Sequence, residues 1–141
     1  MAAEKYALWI TPSEIIYKRL KDLIARLGAE YSSPVFEPHI TLIGGLKGPE
    51  ERMLSKAFEL ASLLYPFTID MGHVEYRDEY YRSFFITVGI SKELLEAHSL
   101  AGKIFERKPG DDFMPHLSLM YGDFDETTKE EIVRETGGDF N

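Results

Sequence analysis

The sequence predicts an α+β domain in which helices lie on an antiparallel sheet or sheets. Two observations carry that reading. Strand-like and helix-like stretches interleave over 141 residues in the order β α β α β β α β α, with short links. One of the strands also recurs: residues 38–45 and 115–122 share a pattern, so two strands should be structurally equivalent. The length suits a single domain spanning residues 1–141, and no low-complexity linker divides it.

Tyr6-Ala7-Leu8-Trp9-Ile10 reads as the first strand. Thr11 is a good N-cap, Pro12 fits the first helical position and Glu14 completes a capping box. Apolar residues at Ile16, Leu20, Leu23, Ile24 and Leu27 keep a helical period, which Gly28 should end. Val35 to Ile43 is the second strand, with Gly44, Gly45, Gly48 and Pro49 punctuating the loop after it. Pro49 opens a second helix, whose expected buried stripe is Met53, Leu54, Ala57, Phe58, Ala61 and Leu64. Phe67 to Met71 alternates like a strand, as does Ser83 to Ile90, and Tyr76 to Arg82 should turn between them. Ser91 can cap a third helix that buries Leu94, Leu95, Ala101, Ile104 and Phe105. Phe113 to Tyr121 is the last strand, and Asp125 can cap a final helix running to about Glu135.

Composition narrows the chemistry. The chain has no cysteine, which excludes disulfides, thiolate nucleophiles and Cys-type zinc sites. No apolar run reaches the roughly 18–20 residues of a membrane span, and Met1 to Lys5 lacks the pattern of a secretory signal, so a cytoplasmic location is expected. The net charge is −8, and long nucleic acid is not an expected partner, because phosphate binding wants a basic face. A small anion held by a few local donors fits that balance.

The repeat is the strongest signal. Pro38-His39-Ile40-Thr41-Leu42-Ile43-Gly44-Gly45 and Pro115-His116-Leu117-Ser118-Leu119-Met120-Tyr121-Gly122 both read P-H-aliphatic-[T/S]-L-aliphatic-x-G. Side chains alternate along a strand, so His39 and Thr41 share one face while Ile40 and Leu42 take the other. The second copy repeats this with His116 and Ser118. If a pseudo-twofold relates the strands, the four polar side chains converge. Such a group suits phosphate chemistry: a neutral imidazole takes a proton from water, and a protonated one gives a proton to a leaving alkoxide. The hydroxyls can donate to phosphate oxygens as charge builds on them. The scheme needs no metal, and two His without a third ligand at fixed spacing make a poor zinc site. A lone strand His bonded to a carbonyl would mean little, but a duplicated one favours catalysis.

These residues resemble the two-histidine phosphoesterases, whose hallmark is a pair of H-x-[T/S] motifs, matched by His39-Ile40-Thr41 and His116-Leu117-Ser118. Within that group the chain is similar to the plant and fungal type cyclic phosphodiesterases. Tyr6 to Pro12 resembles their N-terminal strand and Phe113 to Tyr121 their second motif strand. The resemblance implies a bilobal fold, with two antiparallel sheets flanking a cleft and helices outside. It implies hydrolysis of 2′,3′-cyclic nucleotides or of ADP-ribose 1″,2″-cyclic phosphate, with the 2′-phosphate as nucleotide product. No cofactor is implied, and a monomer acting on a small cyclic-phosphate nucleotide is expected.

Under that resemblance His116 would serve as base and His39 as acid. Tyr121 falls where the family has a tyrosine near the substrate. Trp9, Tyr80 and Tyr81 lie in segments like cleft-lining ones and could stack on a base, although Trp9 also reads as a core residue. Arg82 could help hold a phosphate. Relatives continue past the last helix with further strands, whereas this sequence stops at Asn141, as a shortened form or a fragment would. Two other readings are an RNA-processing enzyme of the 2′–5′ ligase or exonuclease kind, and a nucleotide-binding module without turnover.

Overall fold

The structure, a computed structural model, describes residues 5–107 and 113–136. The elements run β1 (Lys5–Ile10), α1 (Glu14–Tyr31), β2 (Ile40–Lys47), α2 (Glu50–Leu63), β3 (Met71–Tyr76), a 3₁₀ turn (Tyr80–Arg82), β4 (Phe84–Val88), α3 (Lys92–Ile104), β5 (His116–Met120) and α4 (Glu126–Glu135). This is an α+β chain, in the predicted order of elements. Its strands are hydrogen-bonded in the order β1-β2-β5-β4-β3. The β2–β5, β5–β4 and β4–β3 pairs are antiparallel.

The chain forms two compact units. Of the described residues, one comprises 5–10, 41–69, 90–107 and 113–115, the other 11–40, 70–89 and 116–136. In the first unit α2 packs on α3. The predicted stripe of α2 is only partly inside. Leu60 is the buried residue of that helix, while Leu54 and Phe58 are 50% and 73% exposed. On α3, Leu94, Ala97 and Ala101 are buried and Leu95 is exposed. Ser91 caps this helix as expected, accepting from the Leu94 N–H at 3.1 Å.

In the second unit α1 packs on β5 and α4 on β3. Cross-strand partners share a sheet face. The ladder pairs Val74 with Ile86 and Ile86 with Leu117, and all three are buried on the helix-covered side. Leu20, Ile24 and Leu27 of α1 and Ile132 of α4 complete this core. The buried Lys129 of α4 sets its ammonium 5.6 Å from the Tyr76 ring and 3.8 Å from Asp78. Asp125 caps α4, accepting from the Thr128 N–H at 2.8 Å.

Several boundaries differ from those predicted, each for a local reason. The N-cap of α1 is Ser13, without a side-chain cap bond, rather than Thr11. The helix runs through Gly28 and ends on Ser32, which takes the left-handed conformation at φ 56°. Gly28 serves a close approach instead: a Cβ there would meet Val35 Cγ2 at 2.7 Å and the Ser33 carbonyl at 3.0 Å. β2 starts at Ile40, not Val35, after Pro34 and Pro38, which have no N–H for a ladder. It then continues through Gly44 and Gly45. Gly45 has φ +65°, and the Arg107 guanidinium donates to the carbonyls of Gly44 and Gly45 at 2.7 and 3.2 Å. Phe67 to Asp70 is not a strand. β3 begins at Met71, where its register with β4 begins.

Candidate active site

The second unit brings the two motif histidines into one electrostatic environment. Ile40 pairs with Leu117, so the central residue of one motif lies opposite the central residue of the other. Both are buried, as the alternation requires. His116 and Ser118 project from the opposite face of β5, where the ladder sets Thr87 beside His116 and Phe85 beside Ser118. The His116 ring meets the Phe85 ring at a 5.4 Å centroid separation, edge to face. Ser118 is 6% exposed.

His39, half-buried, immediately precedes β2. Its Nδ1 lies 2.8 Å from the Glu37 carbonyl oxygen. A carbonyl only accepts, so Nδ1 carries the proton in that bond and Nε2 is the nitrogen whose protonation changes. Burial lowers the His39 pKa from the ordinary imidazole value. The Glu37 carbonyl opposes this, and the charge of His116 lowers it further.

Beside them lies a run of aromatic rings. Phe36 stacks on Tyr121 at 4.2 Å and 19°, and Tyr80 is nearly parallel to Tyr121 at 6.4 Å. Phe36 also sets its ring 6.4 Å from that of His39, edge to face. The turn after β5 is held by the Gly122 N–H, which donates to the Tyr80 carbonyl at 3.1 Å. Gly122 has φ +149°, and a Cβ there would strike Phe124 at 2.8 Å. Among the described residues, no group of three or more His, Asp or Glu side chains is placed to hold a metal ion.

A family model for cyclic phosphodiesterase-like proteins matches residues 3–139. The chain belongs to the cyclic phosphodiesterase-like protein family. Membership makes it an enzyme of the cyclic phosphodiesterase class. It is 28% identical over 127 residues to a cyclic phosphodiesterase of Arabidopsis thaliana, an alignment covering 89% of this chain and 69% of that protein. No helix among the described residues is long and apolar enough to cross a membrane.

For this family member the expected site residues divide between the units. His39, His116, Ser118, Tyr80, Tyr121 and Arg82 belong to the second unit, Thr41 and Trp9 to the first. Trp9 is 49% exposed on β1 and is not a core residue, because Tyr6, Leu8 and Ile10 take the more covered face of that strand. Arg82 lies 3.3 Å from Glu79, an ion pair that offsets its charge. Tyr81 lies in the 3₁₀ turn, and its side chain lies outside the described residues. His73 pairs with Glu75 at 3.0 Å, and His98 stacks flat on Phe113 at 3.8 Å.

Phe36 is a site residue the motif pattern missed. The signal was available, since Phe36-Glu37-Pro38-His39 and Phe113-Met114-Pro115-His116 both place a phenylalanine three residues before the motif histidine. Phe85 was missed for another reason: its place beside His116 is a property of the β4–β5 register.

Proposed function

We propose that the chain hydrolyses 2′,3′-cyclic nucleotides, or ADP-ribose 1″,2″-cyclic phosphate, to a phosphomonoester by two-histidine acid–base catalysis without a metal. The observation that carries this is the pairing of Ile40 with Leu117, with His39 and His116 electrostatically coupled beside it. One imidazole takes a proton from water as the water oxygen bonds to phosphorus. The other gives a proton to the 3′ oxygen as its bond to phosphorus breaks. The sum is one water added and a 2′-phosphate released. Burial favours the neutral ring of His39, and the order of base and acid is read from the pH profiles of the two histidine variants.

Ser118 and Thr41 would donate to the non-bridging oxygens, and Tyr121 with Phe36 and Tyr80 would offer a stacking surface for the base. The pseudo-twofold relation of the motif strands, a monomeric state, a cytoplasmic location and a role in RNA metabolism belong to this same proposal.

The test is turnover of 2′,3′-cyclic AMP in excess EDTA, resolving 2′ from 3′ product. Wild type should form the 2′-phosphate, and His39→Ala and His116→Ala should each lose roughly 10²–10⁴-fold in kcat. The activity-pH profile should lose its acidic limb in the variant that lacks the base and its basic limb in the variant that lacks the acid. A folded wild type inert on both substrates would sink the proposal.

A further inference from the structure

The sheet face that carries His116 and Ser118 continues across β4 and β3. Phe85 lies beside Ser118, and Glu75 lies beside Phe85. Arg77 follows the last residue of β3. Its N–H donates to the Ser83 carbonyl at 3.1 Å, one step beyond the Tyr76–Phe84 pair, so the ladder register persists. Alternation then sets Arg77 on the face of Glu75, and its guanidinium carbon lies 6.0 Å from the Phe85 ring centroid. The Arg77 guanidinium carbon and the His116 ring, 6.0 and 5.4 Å from the Phe85 ring centroid, thus both lie against Phe85.

The carboxylates of Asp78 and Glu79 face cations of their own, and Glu75 contacts the His73 ring. Glu75 is 3.0 Å from His73, Asp78 is 3.8 Å from Lys129 and Glu79 is 3.3 Å from Arg82. Arg77 is exposed, and among the described residues it forms no salt bridge. A guanidinium offers two parallel donors that match a phosphate, and on an aromatic face it is held with less loss of freedom.

We infer that Arg77, seated on Phe85, is a second anion subsite that binds a phosphate group of the substrate other than the one hydrolysed. The substrate class it selects is a cyclic phosphate carrying another phosphate at a 5′ position, over the bare cyclic mononucleoside. Arg82, the arginine suggested by sequence, has its charge offset by Glu79. This inference rests on the proposed hydrolysis for its choice of substrate, but its test reads binding.

Calorimetric titration of the full chain with adenosine 2′,5′-bisphosphate and with adenosine 2′-monophosphate measures the subsite directly. Wild type should bind the bisphosphate roughly tenfold or more tightly, an advantage that shrinks with added salt. Arg77→Ala should bring the ratio near one, and Arg77→Lys should keep part of it. Equal affinities in wild type overturn the inference, as does a ratio unchanged in Arg77→Ala or an equal loss for both ligands. Turnover of the matching cyclic phosphates, with and without the 5′-phosphate, is measured alongside. A binding ratio that depends on Arg77 without any turnover would refute the proposed hydrolysis and leave the subsite standing.

Discussion

The two copies of the motif share their residues but not their support. His116 opens β5, a strand paired on both sides, and its neighbour Leu117 lies between Ile40 and Ile86. His39 lies just before β2 and is placed by a short run of its own. The Glu37 carbonyl accepts from its ring, Pro38 is buried, Phe36 stacks on Tyr121, and Val35 fits against Gly28. One histidine sits in the ladder and the other just outside it. A motif in sequence therefore specifies which atoms are presented, while the surroundings decide how firmly. The locally held copy should loosen at lower cost than the sheet-held one, because local openings lie below global unfolding in free energy.

The sharpest way to break this contrast is to truncate the paired central residues. Leu117 is fully buried in the middle of the ladder, so Leu117→Ala should cost about 3–5 kcal/mol, near the top of the range for such changes. Ile40→Ala, at the start of a strand, should cost about 2–3 kcal/mol, yet lower kcat further than its stability loss explains, by displacing His39. Urea midpoints and kcat for the two variants decide it. An Ile40→Ala cost equal to or above that of Leu117→Ala would remove the distinction.

A smaller effect tests the local support alone. In a helix interior, glycine to alanine ordinarily gains about 1 kcal/mol. At Gly28 the new Cβ would press on Val35 and on the Ser33 carbonyl, and overpacking costs about 1–3 kcal/mol. The second effect should win because one obstacle is backbone. Gly28→Ala is expected to lower stability by about 1 kcal/mol and reduce kcat/KM several-fold, as the run from Val35 to His39 shifts. A variant more stable than wild type would show that this run adjusts freely.

The same division explains what could be read from the chain. The order of elements, the caps at Ser91 and Asp125, and the burial of Leu117 and Leu119 all follow from local period and turn chemistry. The motif strands were legible because duplication is visible without any fold. The strand limits were not. Val35 has strand propensity, but the prolines around it deny the ladder, and Phe67 to Ile69 alternates without a partner. Gly28 reads as a stop by composition and acts as a seat by packing. Phe85 comes beside Ser118, and Arg77 onto Phe85, through cross-strand register, which no single segment encodes. Leu54 and Phe58 show the reverse error, since helical period marks an apolar stripe but not whether anything covers it.

The smallest expected effect concerns the protonation of His39. Its pKa is lowered in the folded chain, chiefly by burial, so the unfolded chain binds the proton more readily. Stability must then rise with pH wherever the unfolded state holds more protons. The sign gives a plateau above the ordinary imidazole value of about 6.5 and a decline as pH falls through it. His98, also lowered by burial, contributes in the same direction, so the wild-type slope reports both rings. The contribution of His39 is separable by comparing melting temperatures from pH 7.5 down to 5 in wild type, His39→Asn and His98→Asn. The His39→Asn curve should be visibly flatter than wild type over that window and coincide with it in shape above it. Superimposable slopes in all three would mean that His39 is as hydrated folded as unfolded. In that case the local run does not enclose its ring.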